Sequence, residues 1–195
     1  LHLCHHNLES IDTTSMTTHD LLLEVCMAAK YEGDSLTSYN PKYPEIYSGS
    51  TMCTMLARSF ADIGDIVRGR DLFYGNPQEI AQRKVLDEKL KEIFEKIHGG
   101  LTSTNGVKDH YNDPNGDFFQ LREDWWTANR ATVWEAITCK AKEADKYFRN
   151  TCSNDTSDTN EKCRCDGRNG TNAGKAGGNV TIVPTYFDYV PQYLR

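Results

Sequence analysis

Apolar residues recur every three to four positions between Met52 and Phe73, in the stretch MCTMLARSFADIGDIVRGRDLF. At about 100° per residue, Met52, Met55, Leu56, Phe60, Ile63, Ile66 and Val67 fall within an arc of roughly 140°. Arg58 and Asp65 stand opposite that arc and Asp62 at its edge. The pattern predicts an amphipathic helix that stops near Gly69. A shorter helix is predicted over His19 to Glu32, with Thr17 as its cap, Asp20 at the acidic capping-box position and Gly33 as its terminator. Between the two, Asp34 to Ser50 is rich in Tyr, Pro, Ser and Gly and reads as a loop.

A third helix has clear boundaries: Asn76 is a good N-cap, Pro77 occupies the first helical position, and Gly99-Gly100 ends it. Ile80, Leu86, Leu90, Ile93, Phe94 and Ile97 form its apolar stripe. Asp87/Lys91 and Glu92/Lys96 are i,i+4 pairs on or beside a face read as solvated. Leu101 to Asp117 is polar, with turn signals at Asn105-Gly106 and Asp113-Pro114-Asn115-Gly116. From Phe118 to about Arg149 the pattern predicts one long helix, with an apolar stripe about 180° wide that suits the hub of a bundle. Thr151 to Asn179 is rich in Gly, Asn, Asp, Ser and Thr and reads as a flexible loop tethered by cysteines. The closing VTIVPTYFDYVPQYLR turns apolar and aromatic again, as if cut inside the next element.

A length of 195 residues suits one core. Hydrophobic content of 38% and charged content of 26% are those of an ordinary globular chain. Lys+Arg of 22 against Asp+Glu of 28 gives −6, which argues against non-specific nucleic-acid binding. No apolar run approaches the roughly 20 residues that span a bilayer, and no signal peptide opens the chain. With Leu1 first, the chain reads as a piece of a longer protein, so this says nothing about a membrane anchor in the parent.

Seven cysteines, Cys4, Cys26, Cys53, Cys139, Cys152, Cys163 and Cys165, are widely spaced and include no CxxC pair. This fits a disulfide framework in an oxidising compartment better than metal or redox use. The odd one finds a partner outside the fragment or stays a free thiol.

No catalytic constellation emerges. His2, His5 and His6 lie near Cys4, but His5 and His6 are adjacent and point apart, and no second ligand pair follows at a recognisable spacing. They read as surface histidines. Gly167 to Gly178 resembles a phosphate loop only loosely: Asn169 stands at the first required glycine, and Ala176 follows Lys175. Cys163-x-Cys165 reads as two cysteines with separate disulfide partners. Trp125-Trp126 falls inside the apolar arc and reads as core rather than as a sugar-stacking platform. Asn154, Asn169 and Asn179 are Asn-x-Ser/Thr glycan acceptors. Lys142, Lys146 and Arg149, at i, i+4 and i+7 on the long helix, make a candidate basic ridge for a sulfated glycan, with Arg68 and Arg70 as a smaller second spot. A plain solvated face is the competing reading of that ridge.

Four segments, LHLCHHNLESI, LARSFADIGDIVRGRDLF, LREDWWTANRATVWEAITC and VPTYFDYVPQYLR, resemble in order and spacing the Duffy-binding-like domains, alpha class, of the variant malaria-parasite erythrocyte membrane proteins. The resemblance implies a mostly α, disulfide-stapled helical bundle with long polar loops. Residues 1–15 would end a first subdomain, 16–179 would be the second including a variable loop at 151–179, and 180–195 would open a third. It implies no enzyme activity and no cofactor or metal. The implied role is host-cell receptor binding in cytoadhesion and rosetting, on the outer face of the infected red cell. Red-cell or endothelial receptors, sulfated glycans or blood-group sugars would be the partners, and the Asn acceptors would stay bare. A structural spacer and antigenic shield is the alternative. By the same resemblance Cys4 pairs outside the fragment and Cys53 pairs with Cys165, with Cys163 as its substitute. Cys26–Cys139 and Cys152–Cys163 complete the expected scheme.

Overall fold

The computed structural model describes residues 18–39, 52–72, 75–103, 106–142, 147, 150, 152, 159, 161–165 and 187–195. Within them lie five α-helices: α1 (Thr18–Tyr39), α2 (Met52–Arg68), α3 (Pro77–Gly100), α4 (Val107–His110) and α5 (Phe119–Ile137). Short 3₁₀ turns follow at Glu161–Cys163, Phe187–Tyr189 and Gln192–Leu194. The mostly helical, disulfide-bonded character expected from the pattern is what the chain adopts. The expected subdomain edges at 15 and 179 lie outside the described residues.

The core forms where α1, α2 and α5 meet. Leu21, Val25, Ala28 and Ala29 of α1 face Leu56, Phe60 and Ile63 of α2 and Trp126, Val133, Trp134 and Ile137 of α5 in one buried apolar cluster. Phe60 stands between two indoles, 5.0 Å from Trp126 and 5.2 Å from Trp134, the latter edge-on. Trp125 and Trp126 are both buried, so the core reading of that pair holds. α5 packs on α1, α2 and α3, the hub position that its wide stripe predicts.

Four boundaries or faces differ from expectation. α1 does not stop at Gly33 but runs on to Tyr39, so the first residues of the expected loop are helical. Gly33 is needed for close approach instead: a Cβ there would lie 2.0 Å from the Ile137 carbonyl oxygen of α5. α5 ends at Ile137, not near Arg149. The Thr138 hydroxyl donates to the Trp134 carbonyl at 2.7 Å. Arg164 donates through Nη2 to the Glu135 carbonyl at 2.7 Å and through Nε to the Thr138 hydroxyl at 2.8 Å. The Trp134 carbonyl is therefore satisfied locally and the Glu135 carbonyl from distant sequence. On α3, Ile80 is exposed, because the first turns of the helix stand clear of the core and only Leu86, Leu90, Ile93 and Phe94 are buried. On α2, Asp65 is buried although it lies opposite the apolar arc.

Local signals set the remaining boundaries. Asn76 and Glu79 form a full capping box at the start of α3, with the Asn76 side chain accepting from the Glu79 amide at 2.9 Å. α2 stops at Gly69, whose φ of +71° suits glycine. Asp113 accepts from the amides of Asn115 and Phe118, both at 2.9 Å, and so shapes the turn before α5.

Two disulfides pin the later chain to this bundle, and their pairing corrects the expected scheme. Cys53, at the head of α2, bonds Cys163, and Cys152 bonds Cys165. Trp134 donates its indole N–H to the Cys163 carbonyl at 3.2 Å, which seats Cys163 over the core beside Cys53 and leaves Cys165 for Cys152. Cys26 and Cys139 are free thiols rather than a third pair. Ile137 meets α1 at Gly33, and Lys140 pairs with Asp34 at 2.9 Å. Cys26 lies seven residues before Gly33, about 10 Å back along the axis. A disulfide requires Cα atoms within about 7 Å. Cys4 lies outside the described residues.

Candidate functional site

The most distinctive chemistry of the described residues is a buried charged cluster where α2, α5 and residues 187–195 meet. Asp188 is buried, and its carboxylate accepts from Trp126 Nε1 at 2.8 Å. It also takes a two-point grip from Arg130, with Nε on Oδ2 and Nη2 on Oδ1, each at 2.7 Å. A bidentate guanidinium–carboxylate pair with a third donor satisfies most of the lone pairs that burial strips of water. Arg68 donates to the Asp188 carbonyl, to Asp65 at 2.8 Å, to Glu123 at 3.3 Å and to the Gly64 carbonyl at 3.1 Å. Arg195 reaches Asp62 at 2.9 Å and also bonds Asp65.

Burial raises two of the acids in the cluster. Burial, opposed by Arg195 and Arg83 and helped by Asp65 and Asp71, pushes the Asp62 carboxyl up to about 6. Burial also raises Asp65, against both Arg195 and Arg68. Two guanidiniums face Tyr189: Arg68 lies 5.1 Å and Arg130 5.5 Å from its ring centroid.

A second buried arginine closes α2. Arg122 donates through Nε to the Val67 carbonyl at 2.7 Å and through Nη2 to the Ile66 carbonyl at 3.1 Å and Asp87 at 2.9 Å. Burial lowers its pKa, and Asp87 opposes that. The Asp87 face of α3, expected to be purely solvated, thus carries a core contact, while the Asp87–Lys91 pair forms as expected at 3.4 Å. Beside it a cleft of about 190 Å³ is lined by Ile66, Gly69, Asp71, Arg83, Lys84 and Asp87. Typical ligand pockets hold about 300–1,000 Å³, and here the charges pair with one another, Arg83 with Asp71 at 3.4 Å and Asp87 with Arg122.

The expected basic spots are not assembled as the pattern suggested. Arg68 points inward and is 1% exposed, which removes it as a surface contact for a polyanion. Arg70 is exposed and pairs with Glu123 at 2.9 Å. Because α5 ends at Ile137, Lys142 stands exposed outside any described helix. Lys146, Arg149, the His2–His6 group, the Gly167–Gly178 stretch and the three Asn acceptors lie outside the described residues. Sequence reasoning missed Arg122, Arg130, Asp188 and Arg195. Arg122 and Arg130 lie within the helical patterning of α5, where a cation usually marks the wet face.

A family model for the Duffy binding domain matches residues 1–195. The chain is similar to the solved NTS-DBL1(alpha-1) domain of Plasmodium falciparum membrane protein 1 (PfEMP1) from the varO strain, with 39% identity, a TM-score of 0.69, and coverage of 99% of this chain and 40% of that one. It is similar at 29% identity and a TM-score of 0.63 to the PfEMP1 IT4var13 DBLbeta domain solved bound to ICAM-1, covering 99% of this chain and 40% of that one. A curated relative, the Duffy receptor gamma form of Plasmodium knowlesi, is 26% identical over 114 residues, which are 58% of this chain and 8% of that protein. The chain therefore spans well under half the length of the relatives it matches.

Proposed function

This chain belongs to the Duffy binding domain family, and we propose that it forms part of an extracellular adhesion module that binds a receptor on host cells. What carries the reading is similarity over 99% of the chain, at 39% identity, to a DBL1-alpha domain of a parasite membrane protein. The related DBLbeta domain that binds ICAM-1 supports a protein receptor. Under this reading the chain is the second subdomain of an alpha-class domain, with 1–15 closing the first and 180–195 opening the third. The parent displays it on the outer face of the infected red cell. Among the described residues no helix is long and apolar enough to cross a membrane.

A sulfated glycan is the second class of partner, and Lys142, exposed beyond α5, with Lys146 and Arg149 after it in the chain, is where we place its test. The spacer and shield reading draws on one observation: Arg68 is committed to internal contacts, so one of the expected outward cations is lost. The deciding experiment displays the complete domain on cells and measures binding to red cells, endothelial cells and immobilised heparin. Binding that survives exchange of the 151–179 loop is what the spacer and shield reading expects of that loop, and a large loss counts against it. Absence of binding to all three surfaces overturns adhesion in favour of the spacer. Changing Lys142, Lys146 and Arg149 to Ser lowers heparin elution salt if the basic group carries the glycan.

A further inference from the structure

Residues 187–195 are fastened with their polarity reversed. Asp188 and Arg195, seven positions apart, point inward, with Arg195 only 4% exposed along its side chain. Tyr193 and Leu194 face outward at 79% and 65% exposure, and Tyr189, half exposed, rests on Arg68 and Arg130. The apolar cluster of α1, α2 and α5 closes without this segment, and Phe187, edge-on to Tyr147 at 6.3 Å, only packs against its margin. What holds the segment is charge.

We propose that residues 187–195 are a strap clasped by Asp188 and Arg195 that opens from the α2–α5 face as one unit while the helical core stays folded. Three features carry this. The strap adds little to the apolar core, so its release exposes little hydrophobic surface compared with global unfolding. Its clasp consists of a few charge-assisted bonds at two points, so losing one point weakens the whole segment. Two of the partners left behind keep other contacts: Arg68 holds Asp65, Glu123 and the Gly64 carbonyl, and Asp65 holds Arg68, whereas Asp62 gives up Arg195. Opening uncovers a socket of Arg130 and the Trp126 indole N–H that is already shaped for a carboxylate.

Amide hydrogen exchange on the complete domain tests the strap. In the unchanged protein the amides of Tyr189, Val190, Leu194 and Arg195 are expected to exchange together, faster than buried amides of α2 and α5. Asp188→Asn should speed these amides by about 10²- to 10⁴-fold, in keeping with the cost of breaking one side of a buried pair, and leave the helices unchanged. Arg195→Gln, which removes the far clasp together with the Arg195 bond to the Val190 carbonyl, should speed them by a smaller factor. It serves as the readout if the first variant does not fold. Strap amides that exchange only at the rate of the α2 and α5 core, or variants that speed helix and strap amides equally, overturn the proposal.

Discussion

Arg130 and Asp188 form a two-point ion pair, both bonds at 2.7 Å, across 58 residues of chain. Asp188 is fully buried and Arg130 nearly so. Removing one member leaves the other charge without its partner in a site that water reaches poorly, so Arg130→Met is expected to cost about 3–5 kcal/mol. Replacing both, Arg130→Met with Asp188→Leu, should cost less than the two single changes summed, because no lone charge remains. Urea melts of the four proteins measure the coupling. Additive costs would show that the pair acts through packing alone.

Gly33 and Gly64 are close-approach glycines with different neighbours. At Gly33 an added Cβ meets a backbone carbonyl at 2.0 Å, and at Gly64 it meets the Trp126 ring at 2.8 Å. Both neighbours are held by close packing, but a backbone carbonyl at 2.0 Å must move much further than an indole at 2.8 Å. Gly33→Ala should therefore destabilise by more than the about 1–3 kcal/mol usual for overpacking, and Gly64→Ala should fall within it. Thermal midpoints that rank the two in the opposite order would refute the argument.

The helix patterns at α2 and α3 were legible because they depend on local chemistry: periodic apolar residues, a capping box at Asn76 and Glu79, and a left-handed Gly69. What escaped depends on residues far apart in the chain. Arg164 reaches the Glu135 carbonyl near the end of α5 from 29 residues away, and Thr138 reads as an ordinary helical residue until its hydroxyl turns back on Trp134. Gly33 looks like a terminator until Ile137 is packed against it. Arg122, Arg130 and Asp188 look like surface charges until their partners arrive from 35 to 62 residues away. The resemblance carried Cys53 correctly to one end of a long-range disulfide, but the choice between Cys163 and Cys165 rests on where Trp134 seats the Cys163 carbonyl.

The cysteines should separate by reactivity and by loop length. Cys139 is exposed, whereas burial, helped by Glu135, pushes the Cys26 thiol up to about 11. At pH 8 iodoacetamide is expected to label Cys139 far faster than Cys26, because the thiolate is the nucleophile. Peptide mapping without reduction should find Cys53 joined to Cys163 and Cys152 to Cys165. The Cys53–Cys163 bond closes a separation of 110 residues and the Cys152–Cys165 bond one of 13. In the chain-entropy model a loop near 100 residues contributes about 4.7 kcal/mol and one near 15 about 3 kcal/mol. Replacing the first pair by Ala should thus lower the urea midpoint more than replacing the second. Equal losses would point to native-state strain or residual unfolded structure in place of loop entropy.

Asp62 should make the fold more stable in mild acid. Its carboxyl titrates near 6 in the folded chain against an ordinary value of 3.8. Between those values the folded state binds more protons than the unfolded state, so the stability from this group rises as pH falls through 6 and is complete below about 4. Above 6 the folded chain carries the full cost of a partly buried charge that Arg195 and Arg83 only partly offset. Asp65 is raised in the same direction and adds to the trend. Other carboxylates titrate in the same range, so the variant Asp62→Asn, held in the neutral form, isolates the effect. Its stability relative to the unchanged protein should be more favourable at pH 7.5 than at pH 4.5, read from urea midpoints at both values. Arg195 keeps Asp65 in the variant, so the clasp of the strap survives the change. A difference between variant and parent that is flat with pH would mean that the Asp62 carboxyl titrates alike in the folded and unfolded chain, and would overturn the argument.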